Sequence, residues 1–159
     1  VPAGYQIHGS GGRGTTTLSP WVGFFDSDEI TSPQRGIYVA YIFAKDLRTV
    51  FLSVQQGITQ LSNELRNARA RAQLGANAEL VRARLGEVLV GFDRPMTLGT
   101  SGVRQRGYEA ANIASKTYTV EALPPEEALR SDLARMLHVH ELAASARREA
   151  SSRAWSNLW

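Results

Sequence analysis

The sequence has no cysteine, only two lysines (Lys45 and Lys116) and three histidines. Without cysteine there are no disulfides, thiolate zinc sites, iron–sulfur clusters or cysteine nucleophiles. No apolar run approaches the ~20 residues that a membrane-spanning helix needs, so no membrane partner is expected. There is no HExxH motif, no HNH-like cluster and no Ser-His-Asp arrangement. His138-Val139-His140-Glu141 does place metal-ligand residue types in close order. On a helix, however, residues i and i+2 point about 200° apart, so the two imidazoles do not share one ion. A nuclease would have to gather Mg²⁺ ligands from Asp26, Asp28, Glu29 and Asp46. Asp26 and Asp28 read more simply as turn formers. We therefore expect no catalytic residue, no metal and no cofactor.

Of 159 residues, 43% are hydrophobic, which suits a folded core. A chain of this length fits one domain and buries roughly two thirds of its unfolded surface without staples. The formal net charge is only +3. Its make-up is less ordinary, because every basic residue except Lys45 and Lys116 is arginine. A GC-rich genome would give that bias. Phosphate contact would give it too, since a planar guanidinium binds oxyanions bidentately and stacks on bases. Placement has to decide between them. The sequence begins at Val1 rather than methionine, which reads as a piece of a longer protein. Residues 1–148 then form a single domain, and 149–159 a C-terminal tail or linker to a missing domain.

Residues 1–20 are rich in glycine and hydroxyls and read as a loop. Three apolar runs follow: Trp21–Phe25, Ile37–Phe43 and Val50–Val54. Their lengths, their β-branched and aromatic content, and the turn residues between them predict strands. The short 44–49 connection predicts an antiparallel hairpin. In the second run Ile37, Val39, Tyr41 and Phe43 share one face, and Tyr38, Ala40 and Ile42 the other. Both faces are apolar, so the strand is central and covered on both sides, or one face lines a pocket.

From Thr59, a candidate N-cap, the period becomes helical. Leu61, Leu65, Ala68 and Ala72 fall on one stripe, then Leu74, Ala78, Val81 and Leu85, with a break expected at Gly75-Ala76-Asn77. Arg66, Arg69, Arg71, Arg82 and Arg84 lie off the stripe, as on a solvated face. Val88–Phe92 reads as a fourth strand, 93–110 as a second irregular stretch and Lys116–Val120 as a short strand or turn. Pro124-Pro125-Glu126-Glu127 opens a helix, with proline in the first turn and acids against the dipole. Leu129, Leu133, Met136 and Leu137 form its buried stripe. The expected fold is α+β: a curved mixed or antiparallel sheet of about four to five strands, with two main helices (60–85 and 125–148) packed on it.

Gly9-Ser10-Gly11-Gly12-Arg13-Gly14 contains G-x-G-x-x-G. Thr15-Thr16-Thr17 and Pro20 follow where a helix should start, so a dinucleotide fold is excluded. A loop whose backbone N–H groups and Arg13 hold a phosphate fits better. The stretch 93–107 repeats that chemistry with Gly99, Gly102, Gly107, Arg94, Arg104 and Arg106, and Tyr108 follows it. Two Gly/Arg segments beside a small aromatic-rich sheet suit a nucleic-acid backbone.

The segment from Gly9 to Gly14, followed by Ser19-Pro20-Trp21-Val22-Gly23-Phe24-Phe25-Asp26, resembles a known family. The pattern continues through Thr31-Ser32-Pro33-Gln34-Arg35-Gly36 into Ile37–Phe43, and through Val50–Thr59. It is similar to the McrB-like N-terminal domain of modification-dependent (type IV) restriction systems. The stronger likeness covers about residues 8–59 and a looser one reaches about 145.

The resemblance implies a cytoplasmic antiviral-defence reader, not itself an enzyme, whose partners are double-stranded DNA carrying a modified base and a covalently linked nuclease or motor domain. It implies 5-methylcytosine first, with N6-methyladenine or 5-hydroxymethylcytosine as close rivals, recognised by turning the base into an aromatic pocket. Unstacking costs a few kcal/mol, recovered by stacking and base-edge hydrogen bonds. A methyl group adds apolar area at about 25 cal/mol per Å² buried. By the same resemblance, Trp21, Tyr38, Ile42 and Tyr108 form or border the pocket. Arg13 stands where a related domain has a pocket tyrosine. Ser10, Arg13, Arg35, Arg104, Arg106 and Lys116 would hold the DNA backbone. The alternative is an assembly module that docks a nuclease or motor through the Leu/Ala stripe of 60–85 and the tryptophans Trp155 and Trp159.

Overall fold

Ile37–Phe43 is apolar on both faces, and it forms the middle strand of a five-stranded sheet. A computed structural model describes residues 1–28, 36–93 and 95–152. The strands are β1 (Tyr5–Arg13), β2 (Thr15–Asp26), β3 (Ile37–Phe43), β4 (Thr49–Gln56) and β5 (Asn112–Thr119). They lie in sequence order, each antiparallel to its neighbour. The expected β3–β4 hairpin is present. In its turn Asp46 Oδ1 accepts the backbone N–H groups of Arg48 (2.8 Å) and Thr49 (3.0 Å). Those two bonds hold the Asp46 carboxyl below its ordinary range.

Pleating sends alternate side chains to two separate cores. One holds Phe24, Ile37, Val39, Leu52, Val54 and Ile113 beneath Met136, Leu137, Val139 and Ala143 of α4 (Glu126–Ser152). The other holds Phe25, Tyr38, Ala40, Ile42 and Phe51. It is covered by α1 (Thr59–Glu64), by α3 (Val103–Ala111) and by Met96 and Leu98. The helix α2 (Asn67–Leu85) serves both: Ala70 and Leu74 join the second core, Ala78, Val81 and Leu85 the first.

Five expectations give way. Residues 5–20 are strand, not loop. The helical region breaks at Leu65, whose backbone is extended, rather than at Gly75-Ala76-Asn77. The restart at Asn67 shifts the phase, so Ala70 is buried while Ala68 and Ala72 are exposed. Thr59 is the first residue of α1; the cap position falls to Ile58, with no side-chain bond. Val88–Phe92 is not a strand: a 3-10 turn spans Gly86–Leu89, and Gly91 at φ +88° turns the chain away from extended geometry. Finally, 103–111 is helical rather than irregular.

The arginine face is divided as well. Arg82 is drawn in to donate to the carbonyls of Ile113 and Asn112, both at 2.6 Å. Arg84 pairs with Glu149 of α4. The second half of the Leu/Ala stripe expected to dock a partner is covered, since Leu74, Ala78, Val81 and Leu85 are buried within the chain, while Ala68 and Ala72 of the first half are exposed. Trp155 and Trp159 lie outside the described residues.

The ends of the domain are tied by His140, which is fully buried. Its Nε2 lies 2.9 Å from the Ile37 carbonyl and its Nδ1 2.7 Å from the Tyr5 hydroxyl. A carbonyl can only accept, so Nε2 carries the proton and Nδ1 accepts from Tyr5. Burial pushes the Tyr5 hydroxyl far above its ordinary range, with Asp26 and Glu141 adding to it.

Candidate nucleic-acid interface

The interface is built on the β1–β2 hairpin. Threonines favour extended backbone on β2, whereas the glycines of β1 do not. They serve the geometry instead. The register shifts between Ser10 and Gly12, and Gly12 adopts φ +119°. A Cβ at Gly12 would run into the Thr15 carbonyl, so only glycine closes this turn. Ser10 Oγ accepts the Gly12 N–H at 3.3 Å.

Across the sheet Ser10 lies opposite Trp21, Trp21 opposite Ile42, and Ile42 opposite Phe51. They therefore form one row on the face that α3 covers. Trp21 is half-buried and packs against that core. Its ring meets Phe25 edge-on at 6.0 Å, and Phe25 meets Tyr38 at 5.1 Å. Both Trp21 and Phe25 lean over Gly23. A Cβ there would stand 2.6 Å from the Phe25 ring and 3.1 Å from Trp21. His8, opposite Gly23, sets its exposed imidazole 5.9 Å from Phe25.

The aromatic row continues into α3. Burial drives the Tyr38 hydroxyl far up, and the neighbouring Tyr108 adds to that. Burial also raises Tyr108, while Arg104, donating a hydrogen bond to its hydroxyl, pulls the other way. The hairpin and α3 meet: a Cβ on Gly102 would lie 3.4 Å from Leu18 Cδ1. The strand that follows the first Gly/Arg segment thus touches the second segment at Gly102.

Of the residues expected at the pocket, Trp21, Tyr38, Ile42 and Tyr108 are brought together in one cluster. Three are closed over, at 3%, 1% and 8% exposure for Tyr38, Ile42 and Tyr108, which leaves Trp21 as the accessible member. Of the backbone-binding candidates, Ser10 adjoins Trp21, and Arg104 and Arg106 are exposed on α3. Arg13 stands at the hairpin tip, but its side chain, like the whole of Arg35 and Arg94, lies outside the described residues. Lys116 stands apart, on the face toward α4. Its Nζ is 3.0 Å from Asp132 Oδ1, and Tyr118 donates to Asp132 Oδ2 at 2.8 Å.

Sequence reasoning missed Phe25 and His8. The alternation of β2 and a Trp21–Phe25 spacing of four marked Phe25, but nothing short of the β1 register could place His8. It also missed a buried polar chain under the same face. Gln55 Nε2 donates to Ser53 Oγ (2.8 Å), which donates to Asn112 Oδ1 (2.5 Å). Gln55 Oε1 has no hydrogen-bond partner among the described residues.

Chemically this is a surface for stacking and for holding oxyanions. Among the described residues no three His, Asp or Glu side chains gather to hold a metal ion, and no helix is long and apolar enough to cross a membrane. No curated protein matches the chain. Over residues 1–144 it matches the model of the family described as the MrcB-like N-terminal domain, and it belongs to that family, a non-catalytic DNA-binding domain of restriction systems.

Proposed function

We propose that the domain reads modified DNA, 5-methylcytosine before N6-methyladenine or 5-hydroxymethylcytosine, and takes the modified base out of the duplex to stack on Trp21. The observation that carries this reading is the half-buried indole. It ends an otherwise buried aromatic row and stands beside a polar hairpin. A base turned onto it gains stacking of about 1–3 kcal/mol, comparable with the cost of unstacking. A methyl group on that base adds apolar contact with the indole itself, since Ile42 and Phe25 behind it are closed over. Arg104 and Arg106 on α3, with Ser10 and Arg13 on the hairpin, hold the backbone, joined by Arg35. Lys116, already engaged by Asp132, contributes least. In the whole protein a linked nuclease or motor domain acts on what this domain finds, in the cytoplasm, as antiviral defence.

The test compares one duplex in unmodified, 5-methylcytosine, 5-hydroxymethylcytosine and N6-methyladenine forms. Trp21→Ala should abolish the preference for the modified duplex while the circular dichroism spectrum stays unchanged. An unaltered preference in a folded variant would place the pocket elsewhere.

A further inference from the structure

Next to α3 a cleft of about 350 Å³ opens between α1, α2 and α3. Its floor is apolar, formed by Ile58, Ala70, Leu74 and Gly107. Its rim is polar, with Asn67 and Ser62 beside two guanidinium groups, Arg71 from α2 and Arg104 from α3. None of the described lining residues is acidic.

The rim arginines differ from most others in the chain. Arg48, Arg82, Arg84 and Arg130 each face a carboxylate. Arg135 covers the Phe92 ring and donates to the Val90 carbonyl. The Arg71 guanidinium has no ion pair or hydrogen bond among the described residues, and nor do those of Arg66 and Arg69 just before it. Among the described residues Arg104 has only the neutral Tyr108 hydroxyl, which fixes its direction and leaves its charge unanswered. Two unneutralised planar cations across one polar cleft, with hydroxyl and amide groups between them, suit a tetrahedral oxyanion.

We propose that this cleft holds a phosphate group between Arg71 and Arg104. The expected source is a phosphodiester of bound DNA, a choice that rests on the DNA-reading proposal. Leu18, close to the hairpin turn, lies beside Gly102, which directly precedes the cleft residues Val103 and Arg104, so a duplex seated on the hairpin extends toward the cleft. The other source is the free phosphate of a small ligand.

The experiment uses the whole chain with Arg71→Gln, and Arg130→Gln on the far helix as control. Duplex binding is measured across a salt series, and inorganic phosphate and pyrophosphate are titrated by calorimetry. For a DNA phosphate, Arg71→Gln weakens modified and plain duplexes by the same several-fold factor. It also flattens the log–log salt slope by about 0.9. For a free phosphate, duplex binding is unchanged, and the wild-type heat of phosphate or pyrophosphate binding disappears in Arg71→Gln. If neither moves, or if Arg71→Gln alters only the modified-to-plain ratio, the cleft is not a phosphate site. If the wild-type chain binds no duplex, the DNA reading fails on its own, and the phosphate titration still decides the cleft.

Discussion

The two faces of the sheet are made from the same strands and differ in what they leave unfinished. Under α4 most of the described charged and polar groups are answered, Lys116 and Tyr118 by Asp132, Tyr5 by His140 and Arg84 by Glu149, though Gln56 Oε1 on the Ile37 face is not. Under α3 the face ends in a half-exposed indole, in Gln55 Oε1, buried without a hydrogen-bond partner among the described residues, and in guanidinium groups that no described carboxylate neutralises. A folded chain satisfies its buried polar groups and pairs its charges where stability alone is at stake. The α4 face therefore reads as the scaffold and the α3 face as the one shaped for something outside the chain.

The largest effect should come from breaking the scaffold face. Met136 is fully buried against Ile37, Val39 and their neighbours. Met136→Ala should cost about 2–5 kcal/mol in denaturant unfolding. The ratio of modified to plain DNA affinity should stay where it was, below the unfolding range. A changed ratio would mean that the two faces are not separable.

Next is Gly23→Ala, which acts on the α3 face through space rather than backbone strain. The added methyl would drive Phe25 and Trp21 apart. We expect a loss of about 1–3 kcal/mol, together with a weakened preference for modified DNA. Loss of stability with an intact preference would show that the ring positions do not matter for recognition.

The smallest effect is common to both faces. All five tyrosines are held above their ordinary range, burial being the leading cause in each. Below about pH 10 the phenols are neutral in folded and unfolded chains alike, so stability is complete there. As the pH rises further, the unfolded chain ionises while the folded one does not, and stability falls. Tyrosinate absorbance and far-UV circular dichroism should therefore change together. Tyrosinate that forms ahead of unfolding would contradict the burial.

Much of the scaffold was legible in the sequence. Ile37–Phe43 alternates between two apolar faces, and that alone made it a central strand. The 44–49 turn and the acid-led start of α4 followed from local chemistry. Elements whose glycines serve geometry were not legible. In β1 glycine fills a bulge and a tight turn, so low strand propensity there reports a special backbone rather than a loop. In α3, Gly102 and Gly107 hid a helix that Gln105, Tyr108 and Ala111 mark at a spacing of three. For the interface, the sequence pointed to Trp21 and to two Gly/Arg segments. It could not show that Arg82 turns inward or that Lys116 is engaged by Asp132. Nor could it show that Arg71 faces Arg104 across a cleft, because each depends on contacts between distant parts of the chain.

The His140 contact has a consequence for how the domain is made. It joins Tyr5 to a residue 135 positions later. During synthesis the first hairpin emerges early and can zip up on its own. Its base lacks the tie to His140 until most of α4 has left the ribosome. Within this domain the hairpin thus precedes α4 in the chain, and the tie between them is among the last contacts to form. A nascent chain stalled before residue 140 would hold the hairpin through its β2–β3 pairing but without the His140 tie to Tyr5.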